Sequence, residues 1–303
     1  GNLNNHIGLP ISLLRAEKND DFIVLEMGMS DLGEIDLLAE ISKPDYGIIT
    51  NIGDSHLEFL KTRENVFKAK SEIVPHVKDK LFINYDDQYL QKLDGVKISI
   101  INDKADYYAK NIDLSGEGTT FILNDKAKLT TNLIGEHNIL NLLFGLALCK
   151  EFGIGEEELS NEIKNIKLTD MRFQKIEFEN IIYINDAYNA SPLSMEKAIL
   201  TFSEIYNDRY KIVVLGDMLE LGEKKFEFHE DLEKLLRNTK QDEILLYGPL
   251  MKSLYEKIKD LNTFHYENKM EIKDKLRDYN VKKLVVLLKG SRGMKLEEII
   301  EGN

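Results

Sequence analysis

IIYINDAYNASPLSM (Ile181–Met195) decides the fold class. Ile181–Asn185 is a short continuous apolar run of strand length, as expected for a strand buried on both faces of a parallel sheet. Ser191 can cap a helix, Pro192 suits its first turn, and Met195, Ala198, Ile199 and Phe202 form one apolar stripe. Asp186-Ala187-Tyr188-Asn189-Ala190 lies between strand and helix, where open parallel sheets meet their ligands. The same alternation recurs around it, with strands expected at Lys175–Phe178, Lys211–Leu215, Glu243–Tyr247 and Lys283–Leu288. Residues 170–303 are therefore predicted to form a Rossmann-like α/β domain.

Upstream the alternation is present but mixed. Strands are expected at Asp21–Met27, Tyr46–Asn51, Leu81–Asn84 and Val96–Ile101, and helices at Glu34–Ile41 and Glu64–Val74. Threonines, aromatics and the turn-like Ser115-Gly116-Glu117-Gly118 make Tyr107–Leu133 a small β-meander. Helices His137–Phe152 and Glu156–Ile166 follow, with Lys167–Arg172 as a hinge. Residues 1–169 are predicted to be a mainly parallel sheet domain carrying that meander.

A net charge of −13 over 303 residues argues against nucleic-acid or anionic-membrane partners, which need a positive surface. A nucleotide remains compatible, because local cations, a metal or backbone amides suffice to hold it. No apolar run has the ~18 residues of a membrane span, and no secretory signal is visible. The single Cys149 excludes an internal disulfide, fits a reducing, cytoplasmic setting, and reads as a small core hydrophobe. Gly1 in place of an initiator Met is what a fragment would show.

Strand ends nominate the candidate site. Glu26 and Gly28 lie near the end of the first expected strand, Asn51 ends the second, and Asp54 and His56 follow it. Lys70 lies in the next helix. A carboxylate and an imidazole at neighbouring strand ends suit a metal, although Mg²⁺ prefers oxygen; loop capping by Glu26 and a solvated Lys70 are the plainer readings. Asn138 and Asn141 share a helix face and offer the paired donor and acceptor of an adenine edge, or simply cap the helix. Gly216-Asp217-Met218-Leu219-Glu220-Leu221-Gly222 and Lys289-Gly290-Ser291-Arg292-Gly293 repeat the polar-loop-after-strand placement of Asp186–Pro192. Three such loops point to a ligand-facing cleft.

Taken together, GNLNNHIGLPISLL (Gly1–Leu14), LEMGMSDLGEI (Leu25–Ile35), TNIGDSHLEFL (Thr50–Leu60), KAKSEI (Lys68–Ile73), GEHNILN (Gly135–Asn141), DAYNASPLSM (Asp186–Met195), GDMLELG (Gly216–Gly222) and KGSRGMKLEEI (Lys289–Ile299) resemble the Mur ligase family in order and over nearly the whole chain. The resemblance implies an ATPase-type central domain with a C-terminal domain closing over it. It also implies ATP and Mg²⁺ as cofactors, and phosphorylation of a carboxylate before attack by an amine. DAYNASP with GDMLELG favours the member whose substrates are UDP-N-acetylmuramoyl-tripeptide and D-alanyl-D-alanine, acting as a monomer in peptidoglycan synthesis. By the same resemblance Glu26, His56 and a carbamylated Lys70 are the metal and catalytic positions. Asn138, Asn141, Arg172, Asp186 and Asn189 face the nucleotide, and Lys289, Ser291 and Arg292 the substrate.

The family's Gly-Lys-Thr phosphate loop and N-terminal domain have no counterpart in these residues, and no G-x-x-x-x-G-K-[ST] occurs. The expectation is that the chain as it stands does not turn over ATP. Two alternatives compete: a non-catalytic Mur-like module, or a carboxylate–amine ligase of the folylpolyglutamate or cyanophycin type.

Overall fold

The computed structural model describes residues 3–54, 57–167, 169–279 and 283–300. They group into two compact units, 1–110 with 140–152, and 111–139 with 153–303.

The first unit begins with helices α1 (Gly8–Leu13) and α2 (Glu34–Ser42), then strand β1 (Tyr46–Ile49). Helices α3 (Leu57–Leu60) and α4 (Arg63–Ser71) precede β2 (Lys80–Asn84), β3 (Val96–Ser99) and the start of β4 (Tyr107–Ser115). β1, β2, β3 and β4 pair in parallel in that order. Thr62 caps α4 by accepting the Asn65 N–H, and buried Val66 and Ala69 turn that helix inward. Leu9, Leu38, Ile49, Val66 and Ile83 belong to its core.

One expectation fails here. Asp21–Met27 forms no strand among the described residues; Val24 is 90% exposed, and Glu26 is therefore not at a strand end. An apolar run records a preference for burial, but a strand also needs a neighbour to take its N–H and C=O groups. Among the described residues it joins no strand ladder, and it sets the Phe22 ring 4.3 Å from that of Phe152.

The meander is as expected: the rest of β4, then β5 (Gly118–Leu123) antiparallel to β6 (Ala127–Thr131). Helix α5 (Glu136–Glu151) carries Cys149, partly buried, with burial pushing its thiol up. Helix α6 (Glu156–Glu162) follows. The expected hinge includes Leu168, which lies outside the described residues.

The second sheet contains β7 (Gln174–Phe178), β8 (Ile181–Asn185), β9 (Tyr210–Gly216), β10 (Glu243–Tyr247), β11 (Thr263–Tyr266) and β12 (Leu284–Lys289), in the order β11-β10-β9-β12-β8-β7. All neighbours are parallel except β7, which runs against β8. Helices α7 (Pro192–Glu204), α8 (Lys225–Glu230), α9 (Leu232–Asn238), α10 (Met251–Ile258) and α11 (Lys269–Arg277) connect the strands. α7 starts as expected, with Ser191 and Ser194 forming a reciprocal capping box and Met195, Ala198, Ile199 and Phe202 buried. β8, β9 and β12 contribute residues to two core clusters, as a doubly covered sheet requires.

Candidate functional site

In the first unit the polar residues gather behind β1. Lys70 Nζ donates to the Asn51 carbonyl at 2.8 Å, and the N–H of the same peptide group, on Ile52, donates to Asp87 Oδ2 at 2.7 Å. Asp87 Oδ1 also accepts the Tyr89 N–H at 2.9 Å. Burial pushes the Lys70 amine below its ordinary value, and the Asp87 charge works against that shift. Asp54 is buried in a two-pronged ion pair with Arg63, so its carboxylate is spent on holding the loop to α4. Glu26 Oε1 accepts from Asn4 Nδ2 at 3.0 Å, beside the Gly28 N–H bond to the Asn4 carbonyl. A Cβ on Gly28 would lie 2.6 Å from Asn4 Nδ2, so a larger residue there would displace the Asn4 side chain. His56 lies outside the described residues. Among the described residues no group of three or more His, Cys, Asp or Glu side chains converges on a possible ion.

In the second unit the candidates fall at the carboxyl ends of β8, β9 and β12. Lys289, the last residue of β12, forms a buried ion pair with Asp186 at 2.7 Å and donates to the Asn189 carbonyl at 2.9 Å. Burial lowers the Lys289 amine from its ordinary value, and Asp186 opposes the shift. Asp186 Oδ1 accepts the Phe173 N–H at 3.0 Å. Ser291 is buried too: its hydroxyl accepts the Leu219 N–H at 2.9 Å, and its own N–H donates to the Asp217 carbonyl at 3.0 Å. Asp217 accepts the Leu250 and Met251 N–H groups at the start of α10. Lys289, Ser291 and Asp217 thus knit the three polar loops to one another and to α10.

Other candidates face outward. Arg172 is exposed, and its guanidinium carbon lies over the Tyr188 ring, 4.1 Å from its centroid. Arg292 is exposed and ion-paired to Glu297 at 2.5 Å. Asn189 is exposed, its Oδ1 accepting the Ala190 N–H. On α5, Asn138 Nδ2 donates to the Ile134 carbonyl at 2.8 Å and Asn141 is exposed.

Three participants escape sequence reasoning. Asp87 holds the loop behind β1 from 35 residues away. His137 stands edge-to-face to Phe173 at 5.9 Å with its Nδ1 buried and unpartnered, and burial presses the imidazole down to about 4. His229 is fully buried; its Nε2 accepts the Met218 N–H at 2.9 Å while Nδ1 pairs with the Lys225 carbonyl. Only the GEHNILN and GDMLELG motifs hinted at the last two, by proximity.

The Mur ligase middle domain matches residues 1–149, and the Mur ligase glutamate ligase domain matches residues 171–292. The UDP-N-acetylmuramoyl-tripeptide–D-alanyl-D-alanine ligase of Bacillus subtilis is 36% identical over 99% of this chain and 68% of its own length. Among solved structures, MurF from Acinetobacter baumannii aligns with a TM-score of 0.89 at 26% identity, covering 99% of this chain and 68% of that one. MurF ligase from Thermotoga maritima in complex with ADP aligns at 0.88 and 27% identity, covering 99% and 71%. With both domains matched in order and the alignments running end to end, the chain belongs to the Mur ligase family.

Proposed function

We propose that this chain provides the middle and C-terminal domains of an ATP-dependent ligase that joins D-alanyl-D-alanine to UDP-N-acetylmuramoyl-tripeptide. The observation that carries it is the 36% identity to the Bacillus subtilis ligase of that name over 99% of this chain and 68% of that ligase. A carboxylate is a poor acyl donor. Its oxygen therefore takes the terminal phosphoryl group of ATP, releasing ADP. The amine of D-alanyl-D-alanine then attacks the acyl phosphate, loses a proton and expels inorganic phosphate. Such steps depend mostly on positioning and charge neutralisation.

The residues divide that work. Asn138 and Asn141 are assigned to the adenine edge. Asp186 and Asn189 take the ribose side, and Arg172 the phosphates; its exposed guanidinium, among the described residues, has no hydrogen-bond or ion-pair partner, which supports that role. Arg292 is assigned to the substrate. Lys289 and Ser291, whose polar atoms are engaged internally, support the same region by holding Asp186, Asn189 and the loop at Leu219.

Glu26, His56 and Lys70 as a carbamate are the residues that would hold Mg²⁺. Lys70 fits, because a carbamate forms only from a neutral amine and burial favours that form here. When bound, the ion supplies positive charge against the phosphates. The test is an assay of the full-length gene product with ATP and both substrates, following phosphate release and the joined peptide. Lys70→Met should reduce turnover roughly 100-fold or more. Turnover that does not require D-alanyl-D-alanine would refute the assignment.

A further inference from the structure

Arg172 sits in a turn that no ordinary backbone preference explains. Met171 and Phe173, its two neighbours, both have left-handed backbones, at φ 60° and 56°. Such values are uncommon outside glycine and worse for bulky side chains. The surroundings hold both residues there. The Met171 N–H donates to Gln174 Oε1 at 3.1 Å, and its carbonyl accepts the Tyr188 N–H at 3.2 Å. The Phe173 N–H is taken by Asp186, and its ring is buried against His137. The loop after β8 therefore grips the turn at Asp186 and at Tyr188. Held this way, the turn lays the guanidinium over the Tyr188 ring. The guanidinium carbon lies 4.1 Å from the ring centroid, and among the described residues its N–H groups have no hydrogen-bond or ion-pair partner, so they are available to donate to an anion.

We propose that Tyr188 is a positioning residue: its ring is the platform that orients Arg172, so that the cation is presented in one pose before any anion arrives. The inference rests on the reading of Arg172 as the phosphate-side cation. Preorganisation of this kind removes an ordering cost from binding.

The test uses the full-length ligase. Tyr188→Leu should raise KM for ATP about two- to fivefold, in line with the loss of an exposed cation–π contact, and leave KM for D-alanyl-D-alanine unchanged. Tyr188→Phe keeps the ring and should stay within about twofold of the parent. In an Arg172→Ala background, Tyr188→Leu should add almost nothing, because the platform has nothing left to hold. Additive effects would mean that the ring meets the nucleotide itself, and would overturn the proposal. Side-chain ¹⁵N relaxation of the Arg172 Nε–H supplies a readout independent of ATP. It should show a looser guanidinium in Tyr188→Leu than in Tyr188→Phe, and equal mobility in the two also overturns the proposal. If Arg172→Ala leaves ATP kinetics untouched while the relaxation difference persists, the phosphate-side reading fails and the platform stands. Should the leucine variant not fold, Tyr188→Met serves in its place.

Discussion

His137 is a residue whose chemistry makes folding sensitive to pH. Its imidazole titrates at 6.5 in an unfolded chain and at about 4 in the folded one, chiefly because burial penalises the cation. Above pH 6.5 the ring is neutral in both states, and its full contribution to stability is present. Between 6.5 and about 4 the unfolded chain takes up a proton that the folded chain refuses, so stability is lost as pH falls. The loss should reach about 2 to 3 kcal/mol. His229, also lowered by burial, adds to it with the same sign. His137→Phe, which replaces a ring with an unpartnered Nδ1, should flatten part of this dependence. Denaturant midpoints measured from pH 7 to 4 decide the matter: equal slopes in parent and variant would remove His137 from the account. The same scale explains why much of the site was hidden in the sequence. Lys289 and Asp186 stand 103 positions apart, and Arg172 meets Tyr188 from a turn whose two flanking residues have left-handed backbones. Candidate positions could be chosen one by one at strand ends, but the partners that hold them are set by the order in which strands assemble.

Among the elements, α10 illustrates how a residue that looks poised for a ligand can serve a helix instead. Asp217, in a loop expected to face a cleft, accepts the Leu250 and Met251 N–H groups, which an isolated helix start would leave unsatisfied. Burial raises its carboxyl above the ordinary value, and those amides pull it back. Asp217→Ala should cost about 1 to 2 kcal/mol, as lost helix caps do, and the Leu250 and Met251 amides should exchange faster with solvent. Exchange unchanged at both would show that the cap is dispensable. The strands show what sequence periodicity can and cannot carry. Ile181–Asn185 and Glu243–Tyr247 fall where continuous apolar runs put them, because central strands of a covered sheet are apolar throughout. Thr263–Tyr266 was missed: an edge strand buried at one end and partly exposed along the rest leaves a weak signature. Asp21–Met27 has the converse character: it is apolar in sequence yet forms no strand, since apolar content says nothing about a ladder partner.

The whole molecule carries separate cores. Ile83 belongs to a cluster drawn from the first unit, and Leu246 to one drawn from the second. Both side chains are fully buried. Ile83→Ala and Leu246→Ala should each cost roughly 2 to 5 kcal/mol. Calorimetry should show each change depressing a different transition; a single transition shifted equally by both would mean that the cores melt as one. The connectivity has a further consequence. The first unit is completed only by Leu140–Phe152, after the chain has departed to lay down 111–139 in the other unit. On the ribosome, therefore, residues 1–110 emerge without the segment that finishes their unit, and wait for it while a piece of the second is being made. No single backbone cut separates the two units, because a cut after residue 110 carries 140–152 away with the second and a cut after residue 152 carries 111–139 away with the first.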